Sequence, residues 1–195
     1  MIFSEINNLF LHLRRAKSIL RRYFVTNGFD GAFTMLGLMA GFYSSNRVDI
    51  AVALSASLGT AIALFMSGLS SAYLSESAER RRELYDLEQA LITDLSQSDY
   101  GEASRYLPAV VALVNGLSPL LISLLIMTPL WLSILGFNLP LSPFLLAILI
   151  AMACTFLLGI FIGSISRTFW LWAGLRTLAI AILTISIILL FGAKF

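Results

Sequence analysis

The sequence predicts an all-α integral membrane protein with five transmembrane helices, an N-terminal amphipathic helix and a short cytosolic helical extension. Three observations lead there. Mean hydropathy is +0.88, with 58% hydrophobic residues. Charged residues make up only 12% of the chain, about half the share near 25% that a soluble domain carries. The apolar residues also gather in five runs long enough to cross a bilayer core of about 30 Å, which takes roughly 20 residues of helix. These runs are 24–43, 51–74, 108–135, 143–165 and 171–192.

The first element is residues 1–22. Ile2, Ile6, Leu9, Leu13, Ala16 and Leu20 recur at steps of three and four, with Arg and Lys on the other faces. That pattern predicts a helix lying along the cytoplasmic membrane surface, its basic face near anionic headgroups. The segment lacks the apolar core and small-residue cleavage site of a secretory signal, so no cleavage is expected. The sole histidine, His12, falls in this helix and is expected to be a surface residue rather than a ligand.

Residues 23–74 form the first two spans, 75–106 a cytosolic linker rich in acids and bases, and 107–195 the last three spans. The third run contains Pro119 and Pro129. Each removes a backbone donor and crowds the preceding turn, which predicts kinks or a discontinuous helix. Basic residues give the orientation. Arg14, Arg15, Lys17, Arg21, Arg22, Arg80, Arg81, Arg82, Arg105, Arg167 and Arg176 all fall on one side of a five-span chain, leaving Arg47 and Lys194 opposite. The excess of positive charge marks the cytosolic side, so the N-terminus is expected inside and the C-terminus outside.

The first span holds a carboxylate, Asp30. On a helix, Asn27, Asp30, Thr34, Gly37 and Gly41 fall within about 80° of one another, whereas Met35 and Met39 lie about 140° and 180° from Asp30. Gly37 and Gly41 have the spacing that lets a second helix approach closely, and Asn27 and Thr34 can hydrogen-bond whatever Asp30 binds. One reading makes Asp30 a neutral carboxyl bonded to a neighbouring helix, or one that snorkels near the cytoplasmic end. The other makes it functional, because an acid in a span costs at least about 2.5 kcal/mol on insertion scales. A carboxyl withdrawn from water favours its neutral form and a nearby cation favours the charged one, so such a group exchanges a proton for a metal ion.

The cytoplasmic end of the second span supplies Met66, Ser67, Ser70 and Ser71. A thioether beside hydroxyls suits a late first-row metal better than Mg or Ca, although a methionine in a membrane helix is ordinarily packing. In the linker, Glu76, Glu79, Glu83 and Asp86 form one carboxylate stripe if the second helix continues into the cytosol. That stripe is either a solvated face, with Glu76 paired to Arg80 and Glu79 to Arg82, or a place where hydrated divalent cations collect, with Glu88 and Glu102 as further ligands. Cys154, the one cysteine, sits in an apolar run and is read as packing. The chain has no HExxH or DxxD-like cluster, so no enzyme is expected. Neither a bound cofactor nor a nucleic-acid partner is expected.

Several of these residues together resemble the vacuolar iron transporter family. They are Asp30-Gly31 early in the first span, LMAGF at 38–42, Ser67-Gly68-Leu69-Ser70 in the second span, and FLLGIFIGSISRTFWLWAGLRTLAI at 156–180. The resemblance covers most of residues 24–192. It implies a homodimer whose first two helices line a pathway, exporting ferrous or related divalent ions from the cytosol in exchange for protons. Asp30 matches the family's first-span acid. The family's second span reads approximately Ala-Asp-Gly-Leu-Ser-Met-Ala, and here serines, Ser67 and Ser71, replace the acid and the methionine. The family's glutamate-rich cytosolic domain is reduced to the linker, where Glu76, Glu79 and Glu83 are the positions that keep its role. The expected function is thus a proton-coupled transporter of iron or manganese type, with a membrane site around Asp30 and Met66. The alternative is a membrane metal sensor or assembly protein that shares the fold without transporting. A prokaryotic plasma membrane is the expected location.

Overall fold

The computed structural model describes residues 2–45, 48–166 and 169–192, with side chains over 17–45, 48–166 and 169–191. Among them are six α-helices and no strand: α1 (Ile2–Ser45), α2 (Ile50–Leu91), α3 (Asp99–Ile126), α4 (Thr128–Ile134), α5 (Pro143–Ile165) and α6 (Trp170–Gly192). Four are long and apolar enough to cross a membrane, namely α2, α3, α5 and α6. The chain is therefore an all-helical membrane protein. The apolar part of α1 is not among the four; Asn27 and Asp30 dilute it.

The stretches 1–22 and 24–43 are expected as two elements, but residues 2–22 and 24–43 lie in one helix. Nothing between Leu20 and Thr26 is a glycine or proline, so no residue there interrupts the ladder. The amphipathic positions Ile2, Ile6, Leu9, Leu13 and Ala16, and His12, have side chains outside the described residues. α2 likewise runs unbroken from the second apolar run into the linker as far as Leu91. At 42 residues it is about 63 Å long, so roughly half extends beyond a 30 Å hydrocarbon layer. Asp49 starts it, accepting from the Ala51 N–H at 2.7 Å, as an N-cap acid does. Its far end is less ordinary: Ile92 has φ +50°, a left-handed conformation usually left to glycine. The Glu88 carboxylate accepts from the Leu95 N–H at 3.0 Å and secures the turn.

The two prolines of the third run behave differently. α3 ends at Ile126, and α4 begins at Thr128 with Pro129 in its first turn, the tolerated place for proline. Pro119 does not interrupt α3. Ser142 caps α5 by accepting from the Leu145 N–H at 3.3 Å, with Pro143 following.

The chain forms two compact units, Met1–Phe24 with Phe65–Leu117, and Val25–Leu64 with Ser118–Phe195. In the first, Ala72, Val111 and Ala112 pack with Ile19, Leu20, Tyr23, Leu69 and Leu107. Here α2 and α3 touch backbone to backbone: a Cβ on Gly116 would lie 2.8 Å from the Phe65 carbonyl oxygen, and one on Gly68 3.2 Å from that of Asn115. The buried Asn115 amide donates to the Gly68 carbonyl at 2.6 Å. Small residues and a side-chain amide are what membrane helices use to associate where lipid removes the hydrophobic drive.

The second unit has the larger core, with Met35, Leu36, Met39, Ile126, Met127 and Leu130 fully buried. α5 and α6 pair along small residues: Gly159 faces Thr177 and Ala173, and Gly163 faces Trp170 and Ala173. Thr177 Oγ1 donates to the Thr155 carbonyl at 3.0 Å. Cys154 is buried in this core.

Candidate functional site

Asp30 owes its position to what its neighbours do. Gly28 and Gly31 turn toward α3, where a Cβ on Gly28 would meet Ser118 Oγ at 3.1 Å and one on Gly31 would meet the Pro119 Cα at 2.7 Å. Met35 and Met39 enter the core. With those faces committed, Asp30 is exposed on α1, flanked by the half-buried Asn27 and Thr34. Gly37 and Gly41 continue that face, and nothing lies within 4 Å of where a Gly41 Cβ would be. The polar face is thus a real surface of the second unit, and the two methionines lie off it as the helical angles require.

Met66, Ser67 and Ser70 belong to the first unit and are all exposed on α2. The Ser70 hydroxyl donates back to the Met66 carbonyl at 2.8 Å, which spends its proton but leaves lone pairs on the oxygen.

The linker carboxylates are tied to a cation already. Arg80 reaches Glu83 at 2.6 Å and Glu76 at 3.5 Å. Tyr23, from α1, donates to the second oxygen of Glu76 at 3.0 Å. Tyr100, from α3, donates to Glu83 at 3.0 Å. Five side chains from three helices therefore form one chain of contacts, with Arg80 at its centre and its Nε buried without a partner. Burial, and next the adjacent Glu76 carboxylate, push the Tyr23 phenol above its ordinary pKa. Tyr100 is raised in the same way by burial and Glu83. Glu79 stands apart, exposed with Arg81, Arg82 and Asp86. The pair expected between Glu79 and Arg82 does not form; Arg80 takes both of the carboxylates one turn to either side. Glu88 is committed to the turn after α2. Glu102 is exposed in the first turn of α3. Among the described residues, no group of three His, Cys, Asp or Glu side chains is placed to hold a metal ion.

No family model matches the chain. No solved structure matches it either. It is 31% identical over 169 residues to the uncharacterized protein MJ0645 of Methanocaldococcus jannaschii, a match taking in 83% of this chain and 85% of the relative. The chain belongs to the MJ0645 family. A match of that length includes residues of both units, so what the MJ0645 family shares extends beyond any one helix pair. Tyr23 and Tyr100 are the site residues that sequence reasoning missed. Their partners are 53 and 17 positions away, and a tyrosine beside an apolar run carries no local sign of such a bond.

Proposed function

We propose that the protein is a proton-coupled transporter of divalent transition-metal ions, of iron or manganese type, moving them out of the cytosol. The observation that carries this reading is Asp30, an exposed acid on a helix whose other faces are core and glycine contacts. α1 would then be a fifth span, with the N-terminus inside and the C-terminus outside as the basic residues suggest. The protein would work as a homodimer in a prokaryotic plasma membrane; the archaeal relative supports a prokaryotic setting. Cations collect near the linker carboxylates and leave to the far side as Asp30 takes a proton. Asn27 and Thr34 assist Asp30 on its face, while Met66, Ser67 and Ser70 are candidate ligands on α2. Loading at Glu76 and Glu83 requires Arg80 to withdraw, which makes Arg80 a competitor of the cargo. Glu79 is free to act without that step.

The test is the purified protein in proteoliposomes with an internal metal-sensitive dye and an internal pH dye, given Fe²⁺, Mn²⁺, Co²⁺ and Zn²⁺ in turn. Metal entry with opposite proton movement, falling at least tenfold in Asp30→Asn, is the expected result. Equal flux in Asp30→Asn sinks the mechanism.

A second reading, a membrane metal sensor or assembly protein without transport, is favoured by one observation: Arg80 already pairs with both Glu76 and Glu83. Metal binding to the linker with no flux for any of the four ions would select it.

A further inference from the structure

Arg176 is a cation in the wrong place for a lone side chain. It lies in α6, six residues into a helix long and apolar enough to cross a membrane, which puts its Cα about 9 Å inside the helix start at Trp170. It is exposed, and its neighbours Leu175, Ile180 and Leu183 are exposed apolar residues of a lipid-facing surface. Among the described residues it makes no ion pair or hydrogen bond. The sequence denies it a nearby acid as well, because from Ala103 to Phe195 there is no Asp or Glu. An ionised side chain in that setting requires a counter-charge or a route to water.

The surroundings offer a route to one particular counter-charge. An open groove of about 380 Å³ is lined by Phe169, Trp172, Ala173 and Arg176. Trp172 and Arg176 lie four residues apart on one face of α6, and Phe169 stands immediately before the helix start. Side chains on a helix lean toward its N-terminus, which for α6 directs Arg176 past Trp172 toward the helix start. Trp172 and Phe169 are 63% and 59% exposed, and Trp170 beside them is 47% exposed. Aromatic residues of this kind sit at the headgroup level of a bilayer. Ala173 also lines the groove, and its small side chain lies against Gly163 of α5. A long basic stem rising through an aromatic collar to headgroup depth is how a membrane arginine snorkels.

We propose that this groove is a binding site for the phosphate of an anionic phospholipid, with Arg176 as the anchoring cation and Trp172 and Phe169 flanking the glycerol and upper acyl region. The guanidinium fork matches a phosphate diester with two parallel hydrogen bonds. A lipid satisfies both halves of the groove at once, its phosphate meeting Arg176 and its chains covering the exposed Leu175 and Ile180. Free phosphate would satisfy the charge alone.

The test is native mass spectrometry of the full chain in detergent, titrated with dioleoyl phosphatidylglycerol, with dioleoyl phosphatidylcholine, and with phosphatidylglycerol in the presence of millimolar inorganic phosphate. The wild-type protein is expected to retain phosphatidylglycerol roughly five- to tenfold better than phosphatidylcholine. Arg176→Gln is expected to retain one fewer phosphatidylglycerol per chain. Inorganic phosphate is expected to leave the wild-type occupancy unchanged. Equal retention of the two lipids, an unaltered lipid count in Arg176→Gln, or displacement by inorganic phosphate each overturns the proposal. Should Arg176→Gln not elute as a folded species, Arg176→Lys decides. Its point charge cannot make the paired contact, so retention is expected to fall about threefold, and wild-type retention in that variant overturns the site.

Discussion

Replacing Arg80 by methionine removes the centre of the five-residue network while keeping a long apolar stem. The cost follows from how dry each partner is. Glu76 has a side chain only 11% exposed and Glu83 one 38% exposed. Stripping the cation from a fully buried pair costs about 3–5 kcal/mol, and from an exposed pair about 0.2–1 kcal/mol. Glu83, though closer at 2.6 Å, is wet enough to belong near the second range. Glu76 is drier but its contact is 3.5 Å, so it falls between the two. The expected loss is about 2 kcal/mol, roughly thirtyfold in the folding equilibrium, read by denaturant unfolding in mixed micelles. Most of it comes from the stranded Glu76 charge, so Arg80→Met combined with Glu76→Gln should recover about half. An equal loss in the single and double variants would refute the reasoning. Under the transport reading, Mn²⁺ should also raise the thermal midpoint of Arg80→Met more than that of the wild-type protein, because the guanidinium no longer competes for the carboxylates.

Gly31→Ala should cost about 2 kcal/mol, since the new Cβ meets the backbone of Pro119, which cannot rotate aside, whereas Gly41→Ala, with open space at that position, should be neutral or slightly stabilising; unfolding curves of the two variants check the contrast. Tyr23 and Tyr100 hold their protons to higher pH in the fold than in the unfolded chain, so their contribution is whole below about pH 10 and is lost as pH rises through the raised folded values. An absorbance titration of tyrosinate should show a late-ionising fraction that shrinks in Tyr23→Phe and again in Tyr100→Phe. Ile92→Gly should stabilise the end of α2 by about 1 kcal/mol by relieving the left-handed backbone at φ +50°, read as increased hydrogen-exchange protection of the last turn.

Much of the fold was legible because long apolar runs and their punctuation are local. The runs 143–165 and 171–192 match α5 and α6 within one residue, helped at α5 by the Ser142-Pro143 start. Pro129 marked the break in the third run, and the helix on which the stripe of Glu76, Glu79 and Glu83 depended does continue, to Leu91. Pro119 lies inside α3 without ending it, since a proline within a membrane helix can be accommodated. The unbroken α1 was missed because an amphipathic stretch and an apolar stretch differ in pattern without differing in backbone. At the site, helical angles placed Asp30 on one face and Met35 and Met39 off it. What the angles could not supply was the choice Arg80 makes between several carboxylates in reach, because that choice depends on Tyr23 and Tyr100 arriving from other helices.

The length of α2 has a mechanical consequence. A continuous helix with about half its length beyond a bilayer core is a lever, and its outer arm carries the contacts to Tyr23 and Tyr100. A tilt of about 10° around mid-span, some 44 Å from Leu91 at 1.5 Å per residue, carries the tip roughly 8 Å sideways. A small rocking of the span becomes, at Leu91, a displacement of about one and a half helical pitches.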